Sequence, residues 1–218
     1  MKKVFFFFSI LLVLFHVRVS YAGNEPEWYR LSMIASSFDG PSGLFTIPSD
    51  RTIPKGNSSM GIHKYTFKYT LGLPYETEVG MMFAADTTDD IDEDSLKKVA
   101  FNAKWNILKQ EDYPAGVSVG VSNREVYTVC SKYFPEFFHF ALHPGLKYTR
   151  DEKLKGFIGI TKMNWRVLFV SDYNGDSYTF GLRSLIADSV KFDFFLRGLE
   201  DFKDFSFDNV IFGVSFTE

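Results

Sequence analysis

The chain has 218 residues, a formal net charge of −3 and a single cysteine, Cys130; its pI is about 5.8 and its mean hydropathy −0.07. This balance gives no footprint for nucleic acid, and one cysteine cannot form an intramolecular disulfide. Beyond the N-terminal run, no stretch approaches the roughly 18 apolar residues of a membrane helix.

The N-terminus reads as an address. Lys2 and Lys3 are followed by an apolar run from Val4 to Phe15, and Ser20-Tyr21-Ala22 places small residues at positions −3 and −1 of a cut before Gly23. The pattern predicts a cleaved secretory signal peptide over residues 1–22. The apolar run is short of the about 20 residues of a bilayer span. The residue directly after the cut is Gly23, not cysteine, so a lipid-anchored lipoprotein is not expected. About 195 residues remain, a common size for one all-β domain.

Residues 23–42 form the next unit. Trp28, Leu31, Met33 and Ile34 have spacing that suits a short helix. The segment is read as a periplasmic leader or as a plug that enters the domain C-terminal to it.

From residue 43 onward the pattern is alternation. Residues 44–47 are a short first strand, and 60–69 alternate without a clear choice of face. Weaker alternation covers 75–85, 126–133, 156–160 and 165–173. In the stronger segments Val99, Phe101, Ala103, Trp105 and Ile107 oppose Asn102, Lys104 and Asn106. Val117, Val119 and Val121 oppose Gly116, Ser118 and Gly120. Phe140, Leu142, Leu146 and Tyr148 oppose His139, Ala141, His143, Gly145 and Lys147. Phe180 and Leu182 oppose Gly181 and Arg183; Phe192, Phe194 and Leu196 oppose Lys191, Asp193 and Arg197; Phe212, Val214 and Phe216 oppose Gly213, Ser215 and Thr217. Successive side chains of a strand point to opposite faces, so each segment has one oily face and one polar or small face. Turn residues separate them, as at Asn174-Gly175-Asp176 and Ala187-Asp188-Ser189. The expected fold is an all-β, antiparallel up-and-down transmembrane β-barrel over residues 43–218, of about twelve strands including 44–47.

Alternation alone does not say which face is outside. A soluble barrel keeps its oily face inward. Here the polar face is rich in Gly, Ala and Ser, which suits a narrow lumen better than a wet surface. Tyr75, Trp105, Tyr127, Tyr133, Tyr148, Trp165, Tyr173 and Tyr178 recur near strand ends, as in interfacial girdles. Many segments are about ten residues long, the length of a tilted membrane strand. These features point to the oily face meeting lipid.

Several motifs carry a family resemblance. Gly40-Pro41-Ser42-Gly43-Leu44-Phe45-Thr46-Ile47-Pro48-Ser49 resembles the G-P-T-G-L opening of YjbH-like bacterial outer-membrane proteins. Pro54-Lys55-Gly56, then Leu73-Pro74-Tyr75-Glu76-Thr77-Glu78-Val79-Gly80, then Asp172-Tyr173-Asn174-Gly175-Asp176-Ser177-Tyr178-Thr179-Phe180-Gly181-Leu182-Arg183 resemble later motifs of that family in the same order. Thr179 stands where Asn is common, and the family members tied to exopolysaccharide are much longer. The resemblance implies a β-barrel in the outer membrane, with a link to polysaccharide production or export in some members. Outer-membrane lipid, lipopolysaccharide and the barrel-assembly machinery are the implied partners. The aromatic read by that machinery, Phe216, lies two residues before the end of the sequence.

The inward candidates are Glu76, Glu78, Lys104, His139, His143, Lys147, Arg166, Asp172, Arg183, Lys191, Asp193 and Arg197. Mixed charge in a narrow barrel suits a salt-bridged filling better than a selective pore. No cofactor or metal is expected. His139 and His143 would lie about 13 Å apart in a strand, too far to share an ion. The acidic run Asp86, Asp89, Asp90, Asp92, Glu93, Asp94 lacks EF-hand spacing and reads as a solvated loop. No G-x-S-x-G elbow or other catalytic signature appears. The expected function is a structural barrel or narrow conduit. Two alternatives stay open: a periplasmic soluble barrel holding an apolar ligand, and an outer-membrane lipid hydrolase.

Overall fold

A computed structural model describes residues 26–38, 40–84, 98–123, 125–135, 139–199 and 206–218. The expected signal peptide (1–22) and the acidic loop (86–94) lie outside the described residues.

Twelve antiparallel strands close into a barrel, each hydrogen-bonded to its sequence neighbours, with the first strand pairing the last. They are β1 Ser58–His63, β2 Thr66–Leu73, β3 Thr77–Ala84, β4 Lys98–Leu108, β5 Gly116–Ser122, β6 Glu125–Phe134, β7 Phe140–Tyr148, β8 Leu154–Asn164, β9 Val167–Tyr173, β10 Tyr178–Ala187, β11 Val190–Arg197 and β12 Val210–Thr217. Closure runs through Ser59↔Thr217 to His63↔Gly213. A closed sheet has no free edge, so every strand's backbone groups find a ladder partner.

The total of twelve agrees with expectation, but its composition does not. Residues 44–47 are not a strand; they lie inside the barrel, with Leu44, Phe45 and Ile47 at most 1% exposed. The missing strand comes from 60–69, which divides into β1 and β2 around a two-residue turn, His63 pairing Thr66. Lys64 in that turn has φ 51°, the left-handed conformation that tight hairpin turns require. The wall therefore begins at Ser58, not at residue 43.

The C-terminus shares one end of the barrel, here the terminal end, with the connections at 74–76, 109–115, 135–139, 165–166 and 188–189. At the opposite, distal end lie the turns at 64–65, 149–153 and 174–177 and the ends of β3, β4, β5, β6, β11 and β12 that face away from the C-terminus.

The outside is largely apolar, while the inside mixes buried charge with an apolar cluster in which Phe157, Met163, Leu168, Val170, Phe195 and Ile211 of the wall meet Leu44, Phe45 and Ile47. Met60, Ile62, Phe67, Val79, Phe83, Val99, Phe101, Val121, Ile158, Ile160, Phe169, Phe180, Phe212 and Phe216 are exposed on the outside. His63, Lys68, Glu78, Lys104, Asp172, Arg183, Lys191 and Asp193 are buried on the inside.

The described residues between Tyr29 and Ile53 fill the interior, while residues 54–57 are exposed at its terminal end. The helix α1, Glu27–Met33, starts at the terminal end, where Tyr29 packs on Tyr133 at 4.7 Å between ring centroids. The chain climbs to Phe38, turns back through a tight loop, and descends to β1. Gly43 pairs with Pro48 across that loop. A Cβ at Gly43 would stand 2.6 Å from both the Ile47 carbonyl and the Ser49 amide, so the loop closes only around glycine.

Candidate functional site

The barrel wall grips this internal segment through its backbone. Glu78 on β3 accepts from the Ser42 amide (2.9 Å) and hydroxyl (2.7 Å) and from the Ile53 amide (2.9 Å). Lys104 on the neighbouring β4 lies 3.3 Å from Glu78 and donates to the Ser42 carbonyl at 2.7 Å and to the Arg51 carbonyl. Alternation sets both side chains inward, and the ladder places them opposite each other. A carboxylate with three donors and an ammonium with several acceptors tolerate burial that either charge alone would not.

A second grip lies across the lumen. Asp172 on β9 accepts from the Phe45 and Thr46 amides, each at 3.1 Å, and from the Thr46 hydroxyl at 2.6 Å. Phe45 stacks on Phe195 of β11 with centroids 4.4 Å apart and planes 13° from parallel. Leu44 and Ile47 press on Gly159 of β8, where a Cβ would overlap Leu44 and sit 2.6 Å from Ile47.

The third grip is cationic. Arg183 on β10 binds Asp193 on β11 through Nε at 2.7 Å and Nη2 at 3.1 Å. Its Nη1 donates to the carbonyls of Ser32 and Gly43, both at 2.8 Å. His63 Nε2 meets the Oδ2 oxygen of Asp193 at 2.7 Å, and Lys68 donates to the Ser37 carbonyl. Near the terminal end Arg51 reaches Glu111 at 3.1 Å.

The filling leaves a cup at each mouth. The distal cup, about 260 Å³, is lined by Tyr127, Lys147, Phe157, Asp176 and Arg197 together with Ser37 and Pro48 of the internal segment. The terminal cup, about 400 Å³, is lined by Arg30, Arg51, Asn106, Lys109, Glu76 and Glu111. The buried part of the internal segment, from Ser32 to Ile53, lies between them.

The sequence-derived candidates divide accordingly. Glu78, Lys104, His143, Asp172, Arg183, Lys191 and Asp193 are buried inside the wall. Lys147 and Arg197 lie at the distal mouth: Lys147 is 3.3 Å from Glu125 and 3.9 Å from Asp176, and the Arg197 guanidinium covers the Phe38 ring at 5.2 Å. Three candidates lie in turns rather than on strands. Glu76 sits exposed in the β2–β3 turn and pairs with Lys109 at 2.6 Å. His139 lies outside β7, in a turn at φ 58°, with Nδ1 2.6 Å from the Tyr133 hydroxyl. Arg166 lies in the β8–β9 turn, 3.6 Å from Asp188. In each case the strand begins only at the next residue, so alternation does not govern its direction. Tyr127 and Tyr133 are also corrected: both are buried, at 5% and 4% exposure, rather than part of a girdle.

Sequence reasoning missed Lys68, Phe195 and the internal role of Ser42, Thr46 and Arg51. Phe195 shares the parity of Lys191 and Asp193, which is the signal that could have found it.

Two rim groups outside the strands have shifted ionisation. The hydrogen bond to Glu76 raises the Lys109 ammonium above its usual range. The hydrogen bond from Lys155 holds Asp176 below the usual carboxylate range.

Among the described residues no three His, Cys, Asp or Glu converge as metal ligands. His143 contacts the Ser131 hydroxyl at 2.8 Å through Nδ1 and the Thr161 hydroxyl at 3.3 Å through Nε2. It is 1% exposed, and both its ring nitrogens face hydroxyls. No protein-family model matches the chain, and no curated protein matches it either.

Proposed function

We propose that the protein is an outer-membrane β-barrel held closed by its own N-terminal segment, a structural barrel that becomes a narrow conduit only when that segment moves. The observation that carries this reading is the apolar exterior: the outside presents exposed Phe, Ile and Val, while the inside buries charge. Water does not favour a continuous apolar exterior of this extent, whereas lipid does.

Aromatic placement supports the same reading. Exposed Tyr65, Tyr148 and Tyr178 stand at the distal end, and Tyr75, Trp105, Tyr113 and Trp165 at the terminal end. Tyr and Trp at two levels suit the two membrane–water interfaces. The N-terminal pattern of a cleaved signal peptide and the ordered YjbH-like motifs agree with export to that membrane. The opening motif, at residues 40–49, forms the loop that Glu78 and Asp172 hold. The resemblance also makes surface polysaccharide the cargo or partner to test first.

Membrane fractionation with a gel run on unheated and boiled samples tests this. Recovery in the outer membrane, with faster migration unheated, is expected. Recovery as a soluble periplasmic protein would overturn the reading. In planar bilayers the native protein is expected to be silent or nearly so.

A further inference from the structure

The terminal cup carries more positive charge than its own carboxylates neutralise. Arg30, Arg51, Lys55 and Lys109 line it against Glu76 and Glu111. Both carboxylates are engaged, Glu76 by Lys109 at 2.6 Å and Glu111 by Arg51 at 3.1 Å. Lys55 has no carboxylate at ion-pair distance among the described residues. Arg30 meets Glu27 at 3.9 Å, in an exposed pair on one turn of α1 and outside the lining of the cup. Such a pair holds its cation weakly, so Arg30 and Lys55 are open to an anion entering the mouth.

The wall of the same cup holds a polar group that is unmet. Asn106 of β4 is 6% exposed, and its carboxamide oxygen has no donor among the described residues. The Glu76 carbonyl holds its backbone amide at 2.9 Å, which fixes the residue at the mouth. A buried acceptor left without a donor is costly, and a ligand N–H recovers that cost. Leu31 and Ile34 of α1 and Pro54 add apolar lining. At about 400 Å³, the cup is of a size that holds small ligands.

We propose that the terminal cup binds the free carboxylate end of a peptide whose last residue is apolar. The carboxylate lies against Lys55 and Arg30, an amide N–H of the chain donates to the Asn106 oxygen, and the last side chain packs on Leu31, Ile34 and Pro54. An inorganic anion would meet the cations but leave Asn106 and the apolar lining unused. A neutral sugar would leave the cations unmet.

Isothermal titration of the whole protein folded in detergent tests this with three probes: N-acetyl-alanyl-leucine as the free acid, its C-terminal amide, and inorganic phosphate. The free acid should bind saturably. The amide should bind at least about tenfold more weakly, the loss of hydrogen bonds between charged groups, and phosphate should also bind more weakly than the acid. Arg30→Gln with Lys55→Gln, both at exposed positions, should bring acid and amide to equal affinity. Asn106→Ala should weaken acid and amide by the same factor, about five- to tenfold for one lost hydrogen bond, and keep their ratio. If Asn106→Ala does not fold, the native protein and the charge variant decide the matter. No saturable binding of the acid, equal affinity for acid and amide in the native protein, phosphate as tight as the acid, or a charge variant that still prefers the acid would each overturn the proposal. None of these readouts depends on where the barrel resides in the cell.

Discussion

Glu78 and Ser42 are joined twice, the carboxylate accepting the serine amide through one oxygen and its hydroxyl through the other. A wall residue thus fixes the internal loop by its backbone, independently of the loop's apolar contacts. With Lys104 beside it, Glu78 belongs to a buried network whose members lose more by separation than they gain by pairing.

Glu78→Gln should therefore cost about 3–5 kcal/mol, because it leaves Lys104 buried beside a neutral group. Glu76→Gln, two positions away, breaks only a half-exposed pair with Lys109 and should cost under about 1 kcal/mol. Urea unfolding of the folded barrel measures both. Equal costs would mean that the Glu78 network does not hold the fold.

Asp172→Asn removes the charge from the bonds to Phe45 and Thr46. Each bond to a charged group is worth about 1.5–3 kcal/mol, so the loop should loosen while the wall persists. In a Cys130→Ser background, the thiol introduced by Thr46→Cys should react slowly with a water-soluble maleimide. Adding Asp172→Asn should accelerate it at least several-fold. An unchanged rate would show that Phe45 stacking alone holds the loop.

Glu78→Gln combined with Asp172→Asn weakens two of the three grips at once, leaving that of Arg183. If the internal segment is what closes the barrel, this double variant should show channel openings in planar bilayers where the native protein is silent. Silence in a correctly folded double variant would argue for a purely structural barrel.

Ile160→Arg places a charge on the outside near the middle of β8. In a bilayer it should cost about 2–4 kcal/mol, whereas Asn164→Arg at the strand end should cost about 0–1 kcal/mol. Folding into lipid vesicles under urea gives both numbers. A barrel that meets water would show little difference between the two.

The rim near Asp176 should respond to acid. Its folded-state carboxyl lies below the ordinary 3.8 because Lys155 donates to it. A depressed carboxyl contributes stability that is present above the unfolded value and lost as pH falls through the folded one. The pair is largely exposed, so the change is small and should shrink further in high salt. Comparing native and Asp176→Asn protein below the ordinary carboxylate range checks it; identical acid limbs would remove the pair from consideration.

Much of the wall was legible in order along the chain. Lys104, Arg183, Lys191 and Asp193 sit where period-two alternation puts them, because a paired strand turns every second side chain the same way. The legibility stopped at ends and turns. Glu76, His139 and Arg166 follow the parity of a strand but lie just outside it. His63 and Lys68 were ambiguous for a sharper reason: the two-residue turn at Lys64 and Tyr65 carries inward parity from odd positions in β1 to even ones in β2. No Gly, Asn or Pro marks that turn.

By itself, then, the sequence determined an all-β chain of about twelve strands with one oily and one polar face, because alternation is a local property of extended backbone. Only the tertiary structure decided that the inward face encloses the segment ending at Ile53 and that Glu78, Asp172 and Arg183 bind its backbone. Those contacts join residues from 25 to 151 positions apart, and backbone amides and carbonyls, being the same in every residue, leave no trace of their partners in the sequence.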